Sequence, residues 1–211
     1  MIRSIYRASR ELFLLSVLVL LAGCASKPTP SGFLDDYSNI EEVDFFKGIY
    51  VSKNPDKKIT DYSKFKIDPV EIHFHVDAHG DDIKEEELRQ LVEYYESHLK
   101  EIFSEKYQVV DQAGKDTLVL RTAITDVKPN KIYLNLHWST TLLGPGLGGA
   151  DFEAEFVDSV TGESILSVLD AKKGNRAKYI KGLSKWGHTR SVIKAWARTL
   201  VKLVDEDSKK K

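Results

Sequence analysis

The sequence predicts an α+β domain: a mostly antiparallel sheet of about five strands with two long helices on one face. Three observations carry that prediction. Residues 83–106 and 189–205 each repeat apolar side chains every three or four positions, as helices with one buried stripe do. From Asp68 onward Val70, Ile72, Phe74 and Val76 alternate with Glu71, His73, His75 and Asp77, a period of two with one buried face. Residues 151–158 and 164–170 show similar alternation on either side of Thr161-Gly162, which reads as a hairpin.

Ahead of the domain lies an address. Arg3, Arg7 and Arg10 form a positive front, residues 12–21 an apolar core, and Ala22 and Gly23 a small-residue end, the three parts of a secretory signal peptide. A run of about 11 apolar positions is too short to span a bilayer, which takes ~20. Residues 1–23 are therefore expected to be cleaved. Leu21-Ala22-Gly23-Cys24 resembles the lipobox of bacterial lipoproteins, in which the cysteine thiol takes a diacylglycerol and becomes the first residue of the mature chain. Cys24 is the only cysteine, so no disulfide competes for it. Ala25 and Ser26 follow where an aspartate favours inner-membrane retention in that family. The expected location is the outer membrane, facing the periplasm. Residues 24–32 read as a lipidated cysteine and Pro/Ser/Gly tether, and residues 33–211 as one periplasmic domain. Phe33, Leu34, Tyr37 and Ile40, set among acids, read as the chain docking onto that domain.

The domain's elements follow in order. The first strand, residues 62–77, has its count broken at Phe65 and alternates from Asp68, where Pro69 limits pairing. Helix 83–106 has Asp81 or Asp82 as candidate caps and Glu85, Glu86 and Glu87 in its first turns, where the helix dipole favours anions. Residues 107–110 and 117–127 read as strands joined through a turn at Gly114, and residues 132–138 as a further candidate strand. A glycine-rich loop at 142–150 precedes the hairpin. The last helix, residues 189–205, puts Val192, Ile193, Trp196, Ala197, Leu200, Leu203 and Val204 on one arc.

At this length the residues carry a resemblance. SGFLDDYS from Ser31, YSKFKIDPVEI from Tyr62, TLVLRTAITD from Thr117, AEFVDSVTGE from Ala154 and KAWARTL from Lys194, in that order, resemble the bacterial lipoprotein family called domain of unknown function 3313. The resemblance implies an envelope lipoprotein and supplies no catalytic residue.

Chemistry-bearing candidates are few. His73 and His75, with Glu71 and Asp77, would share one strand face, and a His-x-His pair can offer two imidazoles to one metal. The competing reading is the solvent face of a half-buried strand. GPGLGG at Gly144 lacks the Lys-Ser/Thr of a phosphate-binding loop and opens no helix, so it reads as a connection, or as a contact loop through Leu142, Leu143 and Leu147. No nucleophile elbow, serine triad or cofactor motif stands out, so neither enzyme activity nor a cofactor is expected.

Charge is the strongest pattern. The chain carries 31 basic and 32 acidic residues, a composition that is 42% hydrophobic and 30% charged, ordinary for a globular protein. Residues 24–170 hold 15 basic against 28 acidic residues, whereas residues 171–204 hold ten basic and no acidic ones. Within that basic block Arg190, Lys194, Arg198 and Lys202 fall four apart and form a ridge along the last helix, joined by Lys172 and Lys173 in the preceding segment. Two readings follow. Either the ridge meets the acids of residues 81–105 on the neighbouring helix, or it faces an anionic partner, lipid head groups or another envelope protein. Nucleic acid is not expected as a partner of an anchored envelope domain. The expected function is a lipid-anchored, non-enzymatic binding or scaffolding module, with a small-ligand or metal binder using His73 and His75 as the alternative.

Overall fold

The computed structural model describes residues 29–44, 46, 48–80, 83–129, 149–173 and 184–209. The elements are β1 (Glu41–Glu42), β2 (Ile49–Lys53), a short 3-10 turn (Ile59–Asp61), β3 (Lys64–Ile67), β4 (Glu71–Ile72), α1 (Glu85–Ser104), β5 (Gln108–Val109), β6 (Thr117–Lys128), β7 (Gly149–Asp158), β8 (Ser164–Lys173) and α2 (Gly187–Lys209). The strands form one sheet in the order β1-β2-β8-β7-β6-β3-β5, with β4 also paired to β6.

This corrects the expected sheet. Eight strands replace five among the described residues, and the sheet is mixed: β1, β2, β8, β7 and β6 pair antiparallel, but β3 and β4 lie parallel to β6, and β5 parallel to β3. β1, β4 and β5 are two residues long, too short to show a period. The strand expected over residues 62–77 is broken, because Pro69 has no N–H for the ladder and separates β3 from β4. Residues 107–110 and 117–127 do not pair with each other; β3 lies between β5 and β6. The candidate strand 132–138, the loop 142–148 and the cap candidates Asp81 and Asp82 lie outside the described residues.

Both long helices cover one sheet face. α1 buries Leu91, Tyr95, Leu99, Ile102 and Phe103, and α2 buries Val192, Ile193, Trp196, Ala197 and Leu200, against Phe152, Ala154 and Phe156 of β7 and their neighbours. Lys185 pairs with Glu87 near the starts of the helices, and Lys106 with Asp205 near their ends, so the two helices run parallel. No helix among the described residues is long and apolar enough to cross a membrane.

The opposite face of β7 carries an acidic column: Asp151, Glu153 and Glu155. Its alternation suggests a solvent face, yet Glu153 is 2% exposed and Glu155 is fully buried. Their cover is the segment ahead of β1. Phe33 and Leu34 pack on Tyr50, Ala123 and Leu169, with Tyr37 and Ile40 beside them. The Ser31 N–H and the Tyr37 hydroxyl donate to the two Glu153 oxygens at 2.8 and 2.6 Å. Arg121 lies 5.3 Å over the Phe33 ring and donates to Glu155 at 3.1 Å. A buried carboxylate is tolerated only when hydrogen-bonded or paired, and this strap completes the set.

Asp158 closes the β7–β8 hairpin. Its Oδ1 accepts the Val160 and Thr161 N–H groups, and its Oδ2 accepts the Tyr62 hydroxyl at 2.8 Å and faces Lys57. These donors, the Thr161 N–H first, hold its carboxyl well below the usual carboxylate range, while burial and Asp158 push the Tyr62 phenol up to about 12. A depressed carboxylate stabilises the fold above its unfolded pKa, about 3.9, and that contribution disappears as pH falls through the folded value. Asp158→Ala is therefore expected to lose about 1–2 kcal/mol at pH 7. Urea melts of the two proteins should converge as the pH drops below about 4.

Candidate functional site

Two polar surfaces result from this architecture, one at the end of the sheet and one on the helix layer. At the sheet end β6 carries a bulge between Ile124 and Asp126, which sets Asp126 opposite Asp151 of β7. Like charges directly opposite each other destabilise a ladder, so both carboxylates need partners. Asp126 is fully buried; its Oδ1 accepts the His79 and Val127 N–H groups at 2.6 and 2.8 Å, and its Oδ2 takes the Lys128 ammonium at 3.0 Å and the His79 ring at 3.1 Å. Burial alone would raise this carboxyl, but the His79 N–H and Lys128 outweigh it and bring it below its ordinary value. Asp151 goes the other way, pushed up by burial and then by the Asp126 charge. His75, 8% exposed, points its Nε2 at Asp151 from 3.8 Å.

The metal set expected from the sequence is not brought together. β4 ends at Ile72, and beyond it the chain follows the bulge, donating from His73 to Ile124 and from His75 to Thr125. As a result His75 turns inward while Ile72 and Val76 are exposed, the reverse of the predicted face. Glu71, His73 and Asp77 stay on the surface, with His73 at the edge of the Phe33 ring.

A different trio, His75, Asp126 and Asp151, has ligand atoms within 4.8 Å of one another. Two features fill that space chemically without a metal. The Lys128 ammonium is already the cation on Asp126. The His75 Nδ1 accepts the Asp77 N–H at 3.1 Å, which puts the proton of a neutral ring on Nε2, toward Asp151, where a metal would need a lone pair. A structural zinc present at 100 times its Kd would stabilise the fold by about 2.7 kcal/mol. Zinc added to chelator-washed protein is expected to leave the melting temperature unchanged.

The second surface is the basic ridge. Arg190, Ser191, Lys194 and Arg198 of α2 face Tyr94 of α1 across a groove of about 320 Å³. Arg190 lies 5.6 Å over the Tyr94 ring, whose other neighbour is His98 at 4.3 Å. Among the described residues Arg190, Lys194 and Arg198 make no ion pair. Three acids of α1 are engaged elsewhere: Glu86 and Glu93 with Arg89, and Glu87 with Lys185 and the Trp186 ring N–H. Of the two readings of the ridge, pairing between the helices is thus made by Lys185 and by Lys106–Asp205, not by the ridge itself. Lys202 has precessed to the far side, 5.8 Å from the Phe46 ring. Lys172 and Lys173 close β8 opposite Ala150 and Gly149, and their side chains lie outside the described residues, as does Cys24.

The Asp126–Asp151 cluster and the strap on Glu153 had no signal of their own in the sequence. The period of two places the acids of β7 on one face, but only the bulge and the return of residues 31–40 show what meets them.

A family model described as a protein of unknown function (DUF3313) matches residues 29–200. The chain is 26% identical to the uncharacterized lipoprotein YdcL of Escherichia coli strain K12, over 74% of this chain and 78% of the relative. Among solved structures it is similar to the PelC dodecamer of Paraburkholderia phytofirmans, with a TM-score of 0.38, 12% identity, and 69% and 93% of the two chains covered. It is also similar to a DUF4136 family protein of Bacteroides thetaiotaomicron, with a TM-score of 0.36, 11% identity, and 74% and 96% covered. Likenesses this distant carry no functional argument.

Proposed function

The chain belongs to the DUF3313 family, and from that premise we propose that it is a lipid-anchored envelope module that binds an anionic partner through the groove of Arg190, Lys194 and Arg198. The anchor is Cys24, acylated after removal of residues 1–23, and the membrane is the outer one, with the domain on its periplasmic side. The lipobox-like Leu21-Ala22-Gly23-Cys24 and the naming of the E. coli relative as a lipoprotein support the anchor. Ala25 and Ser26 support the membrane chosen.

One observation carries the binding role: three cations on successive turns line an open groove, and among the described residues none of them forms an ion pair, Glu86, Glu87 and Glu93 of α1 being held by Arg89 and Lys185. Exposed charges of this kind steer association and set specificity more than they stabilise a fold. The role is non-enzymatic. Four carboxyls with shifted titration have a structural partner: Asp126 has Lys128, Asp151 has His75, Glu155 has Arg121, and Asp158 has the hairpin turn.

Reversing the ridge tests this. Arg190→Glu/Lys194→Glu/Arg198→Glu should fold with wild-type cooperativity, since Arg190 and Arg198 are exposed and Lys194 is half-buried at the groove, yet lose the proteins cross-linked to the wild type in intact cells at low ionic strength. An unchanged cross-linking pattern would dismiss the groove as the binding surface.

A further inference from the structure

We propose that the strap, residues 31–40, is a stowed length of membrane tether: one carboxylate, Glu153, latches it to the sheet, and its release as a unit lets the folded domain stand farther from the bilayer. The inference rests on the acylation of Cys24 proposed above and does not involve the groove.

The latch is a single residue. Among the described residues no backbone ladder bond joins residues 31–40 to the sheet. The strap is folded on itself: the Gly32 and Leu34 N–H groups donate to the Tyr37 hydroxyl, and the Phe33 N–H donates to the Ser31 hydroxyl. Its hydrogen bonds across to the sheet come from the Ser31 N–H and the Tyr37 hydroxyl, and both end on Glu153, one on each oxygen. Phe33 and Leu34 add apolar cover on Tyr50, Ala123 and Leu169, in a cluster separate from the main core beneath the helices. The strap can therefore lift while the ladder and the helix layer stay closed, as a locally opening unit does at less cost than global unfolding. Two features oppose closure. Asn39, two residues before β1, holds φ at 57°, a left-handed conformation uncommon outside glycine. The Asp35 charge approaches Glu155, whose carboxyl is pushed up by burial and then by Asp35.

What release changes is reach. Seven residues separate Cys24 from Ser31, at most about 23–25 Å of extended chain. Sixteen residues separate Cys24 from Ile40, the last of the strap, at most about 53–58 Å. The maximal distance between bilayer and sheet thus more than doubles. Tension on the anchor meets the Ser31 bond to Glu153 before it meets any strand.

With Cys24 acylated, one introduced cysteine is the single free thiol. Ala123 lies under the strap and Ala154 under the helices, and both are fully buried. In acylated protein held in phosphatidylcholine vesicles, Ala123→Cys is expected to react with a thiol reagent at least about tenfold faster than Ala154→Cys. Adding Glu153→Gln, which sets an NH₂ group against one of the two donors, should speed Ala123→Cys about tenfold or more and leave Ala154→Cys unchanged. Tyr37→Phe should do the same from outside the sheet, so a folding defect in Glu153→Gln leaves the test intact. Equal rates at the two thiols would overturn the strap as a separate unit. An Ala123→Cys rate raised by neither variant would overturn the latch. Reach is read by energy transfer from a fluorophore on Lys100→Cys, exposed on α1, to an acceptor on the lipid head groups. Glu153→Gln and Tyr37→Phe should lower the transfer, and unchanged transfer would overturn the stowed tether. Protein left in the supernatant would overturn the anchor, and with it the added reach, before either readout.

Discussion

Trp196→Ala is expected to remove most of the domain's stability. The indole is fully buried on α2, 4.7 Å from the Phe152 ring of β7 and 5.5 Å from the Tyr95 ring of α1, so it joins both helices to the centre of the sheet. Truncating a buried Trp costs about 3–5 kcal/mol, against total stabilities of about 5–15 kcal/mol. At about 2–4 °C per kcal/mol for a domain of this size, the melting temperature should fall by roughly 6–20 °C. Tyr95→Phe, in the same cluster, should behave in the opposite way. Among the described residues the Tyr95 hydroxyl is buried without a hydrogen-bond partner. Burial, and then the Asp170 charge, hold its proton on far above the ordinary phenol range. Deleting a buried, unpaired hydroxyl is neutral or stabilising by up to about 1 kcal/mol. Calorimetry on the two variants checks both signs; a Tyr95→Phe loss comparable with that of Trp196→Ala would mean the hydroxyl has a partner.

The contrast between these neighbours shows what the sequence made legible. Trp196, Leu200 and Tyr95 announce themselves by helical spacing, because an amphipathic stripe depends only on residues a few positions apart. The hairpin of β7 and β8 is legible for the same reason: its alternation and its turn are local. Phe33, Leu34, Tyr37 and Ile40 could be read as a docking segment, but not where they dock; the vacant face of the sheet exists only once both helices occupy the other. Burial of Glu153 and Glu155 depends on that placement, which alternation alone does not report. His75 was misplaced by a single-residue event, the bulge beside Thr125, since one extra residue moves a side chain to the other face. The ridge was legible as a ridge. Its lack of ion pairs among the described residues was not, because that depends on Arg89 and Lys185 reaching Glu86, Glu87 and Glu93 first.

The sign asymmetry of the chain then acquires a spatial meaning. The acids of β7 are enclosed by the strap, Arg121 and the His75 segment, and several acids of α1 are held by Arg89 and Lys185. Among the described residues Arg190 and Arg198 stay without an ion pair on the outer helix surface. A domain that conceals much of one sign and displays the other can attract an anion despite a near-neutral total.

Cys24→Ser should have the second large effect, on location and not on folding. Each buried CH₂ of an acyl chain contributes about 0.8 kcal/mol, and stable attachment needs more than one chain. Removing the acceptor sulfur should therefore abolish palmitate labelling, shift electrophoretic mobility and take the protein out of the outer-membrane fraction. The folded unit should not notice, because the first hydrogen bond from the strap to the sheet is made at Ser31, seven residues downstream. Wild type and Cys24→Ser should accordingly share one urea midpoint, while Ser31→Pro, which deletes the N–H that Glu153 accepts, should lower it by about 1–3 kcal/mol in equivalent stability. Palmitate incorporation into Cys24→Ser, or fractionation identical to wild type, would remove the anchor.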